Sequence, residues 1–308
     1  MRTLSLVKAG IASTVQDSGR AGHLQLGIPP SGAMDSAALR YGQYRLHHRA
    51  DEAAIEMAYA DAALIATQDI RVCVTGAPVV LRVDDQTVDA LAIQHVKAGQ
   101  LLSVKAQTTG IYSYLHVGGG VDTARVFNSR STSPREGIGG LHGRYLRDGD
   151  EIPLGDDAGL CGYSAPKLST VVERDTLTLR YIPCFQHGQM PDVLHQSLRS
   201  ETFRVTTQAN RMGVTLDGPR LETGIEALLS EATCYGAIQI PPDGRPIALL
   251  NDRQTVGGYP KAGAIIASDC QRLAQSRPGQ AVRFQPCTLA EADRIAWLEQ
   301  HYHEAQLA

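Results

Sequence analysis

The stretch from Ser230 to Lys261, SEATCYGAIQIPPDGRPIALLNDRQTVGGYPK, constrains this chain more than any other. Two short apolar runs, 237–240 and 247–250, flank Pro241-Pro242-Asp243-Gly244-Arg245-Pro246. β-formers on either side of a Pro- and Asp-Gly-bearing turn predict a strand, a tight reversal and a second strand. The second run opens into Asn251-Asp252-Arg253-Gln254-Thr255, then Gly257-Gly258-Tyr259-Pro260. Burying a polar group without a partner costs roughly 2–7 kcal/mol. Five polar side chains in a row are therefore expected at the mouth of the strand, where a rigid scaffold presents a loop to a ligand.

Such short strands recur along the chain, with 30 Gly and 15 Pro spread through 308 residues to supply the turns. That length suits two domains of ordinary size. Apolar residues make up 43% and aromatics 5%, which predicts a core of Ala, Val, Leu and Ile rather than rings. The net charge of −3, without a long basic tract, argues against nucleic acid as a partner. No apolar run reaches the ~18 residues of a membrane span. The start, MRTLSLVKAG, has no secretory h-region. The six Cys form no C-x-x-C pair and read as scattered small thiols. A cytoplasmic location is expected.

Read in order, residues 3–7 form a short apolar segment. Ser13 to Gly22 is so rich in hydrogen-bonding groups that a solvent-facing loop is expected, either tied by Asp17 and Arg20 or facing a ligand. Gly27 to Asp35 makes a stiff turn, with Asp35 as N-cap of a helix running to about Leu46. Its Ala38, Tyr41, Gly42, Arg45 and Leu46 share a face whose small residues permit close packing. Strands are predicted near 62–67, 70–75, 79–83, 91–95 and 101–105. Ile111–Val117 is a further strand, and the Gly118-Gly119-Gly120 run behind it reads as a tight bend, because no G-x-G-x-x-G or G-x-x-x-x-G-K-[ST] pattern accompanies it. Three segments echo one another: Lys97-Ala98-Gly99-Gln100, Arg277-Pro278-Gly279-Gln280 and, more loosely, Arg147-Asp148-Gly149-Asp150. Each precedes a strand, as a repeated barrel unit or common turn chemistry would produce. Gly155–Ser169 reads as a linker. Beyond it come strands at 177–182 and 203–207, helices at 191–199 and 268–274, and a final helix to about Gln306 behind the capping box of Thr288 and Glu291.

Nucleophile motifs are missing: there is no G-x-S-x-G, no H-E-x-x-H and no Cys beside a His. No metal site is read, and no catalytic residue can be assigned. The ten His are scattered along the chain; His116 and His142, beside Gly-rich loops, are the two to test. The stronger signal is a set of amide, carboxylate, guanidinium and hydroxyl groups at loop edges: Gln16, Asp17, Arg20, Ser129, Arg130, Asn210, Arg211, Glu231, Gln239, Asp252, Gln254, Thr255 and Tyr259. An amide ligand needs a donor and an acceptor facing it, and a carboxylate needs an Arg fork. Such a set suits a small amide, ureido or carboxylate ligand.

Several of these motifs together resemble the C subunit of bacterial 5-oxoprolinase, a KipA-like family also called allophanate hydrolase subunit 2 or the biotin-dependent carboxyltransferase domain. The matching pieces are Thr14–Arg20, Gly27–Asp35, Ile55-Glu56, Val117–Asp122, Ser129–Thr132, Gly139-Gly140 with Gly143-Arg144, Asn210–Gly213 and Gly236–Lys261. The chain departs from the pattern at Met57–Ala62 and at His47-His48-Arg49. The resemblance implies a mainly β fold with a few helices, built as two cyclophilin-like β-barrel domains: 1–160, and 161–308 with the C-terminal helix. It implies work with a KipI-like B subunit and with the A subunit of 5-oxoprolinase in the ATP-dependent opening of 5-oxoproline to glutamate, ATP being used by the complex. A small amide or lactam would be the substrate. Asn210, Arg211, Gln239, Asp252, Gln254, Thr255 and Tyr259 are carried over as its ligand-facing set. Two other roles fit the family: a carboxyltransferase acting on urea or a small amide, with biotin only through a partner carrier, and a regulator that binds a KipI-like inhibitor of a histidine kinase.

Overall fold

The computed structural model describes residues 2–47, 51–159, 175–225 and 228–307, with side chains as far as His301. It divides into two compact units. The first takes in residues up to His23 together with Pro30–Val172; the second takes in Leu24–Pro29 and Glu173–Gln306. The predicted linker falls largely, and the 160/161 boundary entirely, on residues outside those described.

Unit 1 is built from β1 (Thr3–Lys8), β2 (Ala12–Gln16), helix α1 (Ser36–Arg45), β3 (Ala54–Ala58), β4 (Asp61–Ala66), β5 (Ile70–Gly76), β6 (Val79–Val83), β7 (Gln86–Val88), β8 (Gln94–Val96), β9 (Leu101–Ala106), β10 (Tyr112–Val117) and β11 (Glu151–Pro153). They form a six-stranded sheet in the order β11-β1-β4-β9-β6-β7 and a five-stranded sheet in the order β2-β3-β10-β5-β8. Alternation along β4 and β9 sends Leu64, Leu102 and Val104 into an aliphatic core with Leu4, Val15, Leu81 and Ile152. The helix starts where Asp35 predicts: its carboxylate accepts from Ala38 N at 3.0 Å. Gly42 matters for a packing reason. A methyl group there would lie 2.0 Å from His116 Nε2, so only glycine lets α1 settle onto that buried ring.

Unit 2 contains β12 (Thr176–Pro183), a 3-10 turn (Phe185–Gln189), α2 (Asp192–Ser200), β13 (Phe203–Asn210), β14 (Gly213–Asp217), β15 (Glu231–Ala232), β16 (Ala237–Gln239), β17 (Ile247–Leu249), β18 (Val256–Gly257), β19 (Lys261–Ile265), α3 (Ala267–Ala274), β20 (Ala281–Pro286) and α4 (Leu289–Leu307). Seven strands close a barrel in the order β12-β19-β16-β17-β14-β13-β20, with β12 and β20 joined in parallel. The predicted hairpin is β16 and β17, paired Ile238 to Ala248 and Gln239 to Ile247. Here the ring-free core expected from composition is corrected. Phe284 meets Tyr181 and Phe203 edge-on at 6.1 and 5.5 Å, so rings fill part of this barrel. Asp269, fully buried on α3, ties that helix to the barrel through a bidentate pair with Arg180 at 2.7 and 2.8 Å. At α4 the capping box forms, with Glu291 N donating to Thr288 Oγ1 and Thr288 N donating to Glu291 Oε2.

The three echoing segments make one and the same turn. Gln100 N, Asp150 N and Gln280 N each donate to the carbonyl three residues back at 3.1 Å. Each glycine takes a positive φ and donates onward, Gly99 to Ala66, Gly149 to Leu6 and Gly279 to Val205. The looser third copy carries the same bonds as the other two.

Candidate functional site

The residues named from sequence fall into two groups, one in each unit. In unit 1, the stretch expected to be a solvent-facing loop is instead strand β2 and a turn in which Asp17 and Arg20 are buried while Ser18, Ala21 and Gly22 stay exposed. Ser13, Thr14, Gln16, Asp17 and Arg20 are all buried. Polar groups enter this interior because distant segments supply partners. Asp17 accepts from Gly19 N at 2.8 Å, Ser129 Oγ at 2.6 Å, Ser131 Oγ at 2.5 Å and Arg130 N at 2.6 Å. Gln16 Nε2 donates to Thr14 Oγ1 and to Thr132 O, both at 3.0 Å. Arg20 Nη2 donates to Ser131 O, and Arg130 Nη2 pairs with Asp122. The structure thus brings Gln16, Asp17, Arg20, Ser129 and Arg130 together as a clamp between β2 and the 129–132 loop. With four donors on it, the Asp17 carboxylate has little capacity left for a ligand.

His116 is equally structural in its contacts. Thr75 Oγ1 donates to Ala38 O at 2.8 Å and lies 3.1 Å from His116 Nε2. The hydroxyl's one hydrogen goes to the carbonyl, so Nε2–H is the donor in the second contact. His142 sits at φ 61° in its glycine-rich loop. The Gly118–Gly120 bend is filled by its own chain. A Cβ at Gly118 would meet Asp157 Oδ2 at 2.1 Å, and one at Gly119 would meet Gly155 O at 2.2 Å. Asp157 is itself held by Arg71, which keeps its carboxyl below the usual carboxylate range. A loop walled by an ionised carboxylate does not fit a nucleotide phosphate.

Unit 2 is different. Of the five polar residues expected at the strand mouth, Asp252 and Arg253 are buried, which corrects the expectation that all five sit at the mouth. Asp252 enters because Arg211 meets it with a fork, Nε to Oδ2 at 2.7 Å and Nη2 to Oδ1 at 3.1 Å. Asn210 Oδ1 accepts from Met212 N at 2.8 Å, closing the β13–β14 turn. Gln254 Nε2 reaches Gln239 Oε1 at 3.3 Å, and Gln239 Nε2 stays buried without an acceptor. Thr255 is half-buried, its carbonyl accepting from Thr233 N, while Tyr259 is exposed. Asp252, Gln254 and Tyr259 therefore occupy three different environments.

Around Gln239 stand residues that sequence reasoning had named only in part. Lys261, paired with Gln239 across β19 and β16, is buried, and its Nζ lies 2.6 Å from Glu231 Oε1. That contact is an ion pair without a well-aligned hydrogen bond, so the ammonium keeps donors to give. Gln186, also buried, accepts from Lys261 N at 2.6 Å and donates to Glu231, fixing both partners. Thr233 Oγ1 donates to Gln254 O from the β15–β18 ribbon. A Cβ on Gly257 would sit 2.8 Å from Gln239 Nε2 and 3.5 Å from Gln254 Nε2, so glycine leaves space over the two amides. The only sequence signal for Lys261 was its place at the end of the longest matching run. Gln186 carried none. The assembled groups offer amide donors and acceptors, one ammonium and one carboxylate, the set a small amide with an ionic group requires. Among the described residues no cluster of three His, Cys, Asp or Glu could hold a metal ion, and no helix is long and apolar enough to cross a membrane.

Residues 26–286 match the family described as carboxyltransferase domain, subdomain A and B. The chain is 36% identical to the 5-oxoprolinase C subunit of Escherichia coli strain K12 over 306 residues, 99% of this chain and 97% of the relative. It is 35% identical to the 5-oxoprolinase C subunit of Haemophilus influenzae, over 92% of this chain and 91% of that protein. Among solved structures, the Kluyveromyces lactis urea amidolyase superposes with a TM-score of 0.92 at 23% identity. That match covers 99% of this chain but only 20% of the amidolyase, and it speaks to fold alone.

Proposed function

Because the chain belongs to the family of carboxyltransferase domains, subdomains A and B, we propose that it is the C subunit of a cytoplasmic, ATP-dependent 5-oxoprolinase. Residues 1–160 and 161–308 would serve as its two domains. The observation that supports this reading best is the near-full-length identity to the E. coli protein of that name. The reaction breaks the lactam C–N bond: water gives its hydroxyl to the carbonyl carbon and a proton to nitrogen, and ATP hydrolysis drives the opening. Of this chain's residues, Gln239 and Gln254 would hold the lactam amide, one donating to its carbonyl and one accepting from its N–H. Gln186 and Glu231 would hold Lys261 in place beside them. No nucleophile stands in this cluster, so the activating chemistry and the ATP site fall to the other two components, the KipI-like B subunit and the A subunit.

Reconstitution tests this reading. Glutamate release from 5-oxoproline should need this chain, the A and B subunits and ATP together, and should stop when any one is left out. Full turnover without this chain would overturn it. The match to the carboxyltransferase-domain family, with 25% identity to the Saccharomyces cerevisiae urea amidolyase, favours a second reading, carboxyl transfer from a biotin carrier to urea or a small amide. Incorporation of labelled bicarbonate into a small amide, with a biotinylated carrier present, would select it.

A further inference from the structure

Arg253 is 5% exposed, yet among the described residues no carboxylate pairs with it. Its neighbour Asp252 is already held by Arg211. The side chain's one hydrogen bond runs from Nη1 to Leu250 O at 3.4 Å, a long contact, and the buried Nε has no acceptor. Every other buried Arg whose contacts are described, Arg20, Arg71 and Arg211, gives a side-chain hydrogen bond of normal length or shorter. A buried guanidinium cannot shed its proton, so leaving it unpaired costs several kcal/mol. Such a cost persists in a fold when the missing anion arrives with a ligand.

The place is consistent with that. Arg253 is bonded in sequence to Gln254, which touches Gln239. Cys234, next to the Thr233 that holds the Gln254 carbonyl, lies close enough to feel the charges of both Arg253 and Lys261. Burial also pushes the guanidinium below its ordinary value, the direction expected where no anion is present.

We propose that Arg253 is an anion-binding residue of unit 2, taking the carboxylate of a small ligand whose amide end lies over Gln239 and Gln254. This rests on the proposed function for its choice of ligand only. A guanidinium fork accepts carboxylate or phosphate, so both are tested.

The full-length chain is titrated with 5-oxoproline, with 2-pyrrolidinone, which lacks the carboxylate, and with inorganic phosphate, following the unfolding midpoint and the heat of binding. The expected result is that 5-oxoproline raises the midpoint of the parent chain, while 2-pyrrolidinone binds at least tenfold more weakly. R253M should lose that response, R253K should keep part of it, and R253M without ligand should be more stable than its parent, because an uncompensated charge has gone. Phosphate binding in place of 5-oxoproline would keep the anion site and reassign its ligand. Three results would each overturn the proposal: no stabilisation of the parent chain by any anion, measurable and equal binding of the two lactams, or R253M binding the anion as its parent does. Should R253M lose the anion while the reconstituted three-component mixture shows no 5-oxoprolinase activity, the site stands and the proposed function fails.

Discussion

Two polar clusters of similar composition sit in the two units, and they differ in one respect. Around Asp17 in unit 1, four N–H and O–H groups converge on a single carboxylate. In unit 2, Gln239 Nε2 and Arg253 Nε are buried with no acceptor. Both clusters contain Gln, Asp, Arg, and Ser or Thr, so their sequences look alike. In the first, the carboxylate is fully matched and stiffens the fold, although Gln16 Oε1 and Arg130 Nε are buried there without a partner. The second leaves donors unused, which a protein tolerates where a ligand completes the pairing. Whether the buried charged groups are paired, rather than polarity, separates a structural clamp from a candidate site: Asp17 and Arg130 have close partners, and Arg253 has only a long bond to a carbonyl.

The sharpest way to break this contrast is Asp17→Asn. Hydrogen bonds to a charged group contribute about 1.5–3 kcal/mol each, and a buried donor left unmatched costs about 1–3. Losing the charge under four donors should cost roughly 3–4 kcal/mol, a fall of about 6–16 °C in Tm for a domain of this size. Calorimetry would show it. The KM of the protein that remains folded should not move. A stable variant with a raised KM would make the unit 1 cluster the ligand site and reverse the comparison.

Gly42→Ala comes next. A methyl group driven into the His116 ring forces α1 outward, and overpacking of this kind costs about 1–3 kcal/mol. Pairing it with His116→Ala in a double-mutant cycle should recover part of the loss, since the clash goes with the ring. Additive effects in urea melts would show that α1 and His116 are not coupled.

Lys261→Met should behave in the opposite way to Asp17→Asn. Its partner Glu231 is nearly half exposed and can be rehydrated, so stability should change by no more than about 1 kcal/mol. Turnover of the reconstituted complex should fall at least tenfold. A variant that stays active would remove Lys261 from the candidate site.

These contrasts also explain what could be read from sequence. The β16–β17 hairpin, the Asp35 cap and the Thr288–Glu291 box were legible because each is settled within a few residues. Strands β4, β5, β6, β9 and β10 were legible from their apolar runs and alternation, whereas the polar β2 was read as a loop. Burial of Gln16 was not, since its partner Thr132 O lies 116 residues away. Asp252 was misplaced for the same reason, its Arg211 being 41 residues distant. Lys261 carried no signal beyond its place at the end of a matching run, and nothing local ties it to Gln186, 75 residues away. Sequence marked where polar groups gather; only the fold shows which of them are already matched.

The smallest effect uses the repeated turn as its own control. Asp150 stands in one copy where Gln100 and Gln280 stand in the others. Arg144 grips its carboxylate with two bonds of 2.8 Å and Arg147 N adds a third, so its pKa lies below the usual value, the Arg144 hydrogen bond being the main cause. A carboxylate with a lowered folded pKa stabilises above its unfolded value of about 3.9, and that contribution is lost as pH falls through the folded value. The pair is partly wet, so the contribution should be about 0.5 kcal/mol. Amide exchange can isolate it. Leu6 N donates to Asp150 O and Val205 N donates to Gln280 O, one in each unit, at 2.9 and 3.0 Å. Protection of Leu6 should weaken relative to Val205 as pH drops from 5 to 3, and Asp150→Asn should abolish that difference. Parallel loss at both amides would mean that acid loosens the two units together, with no special part for this turn.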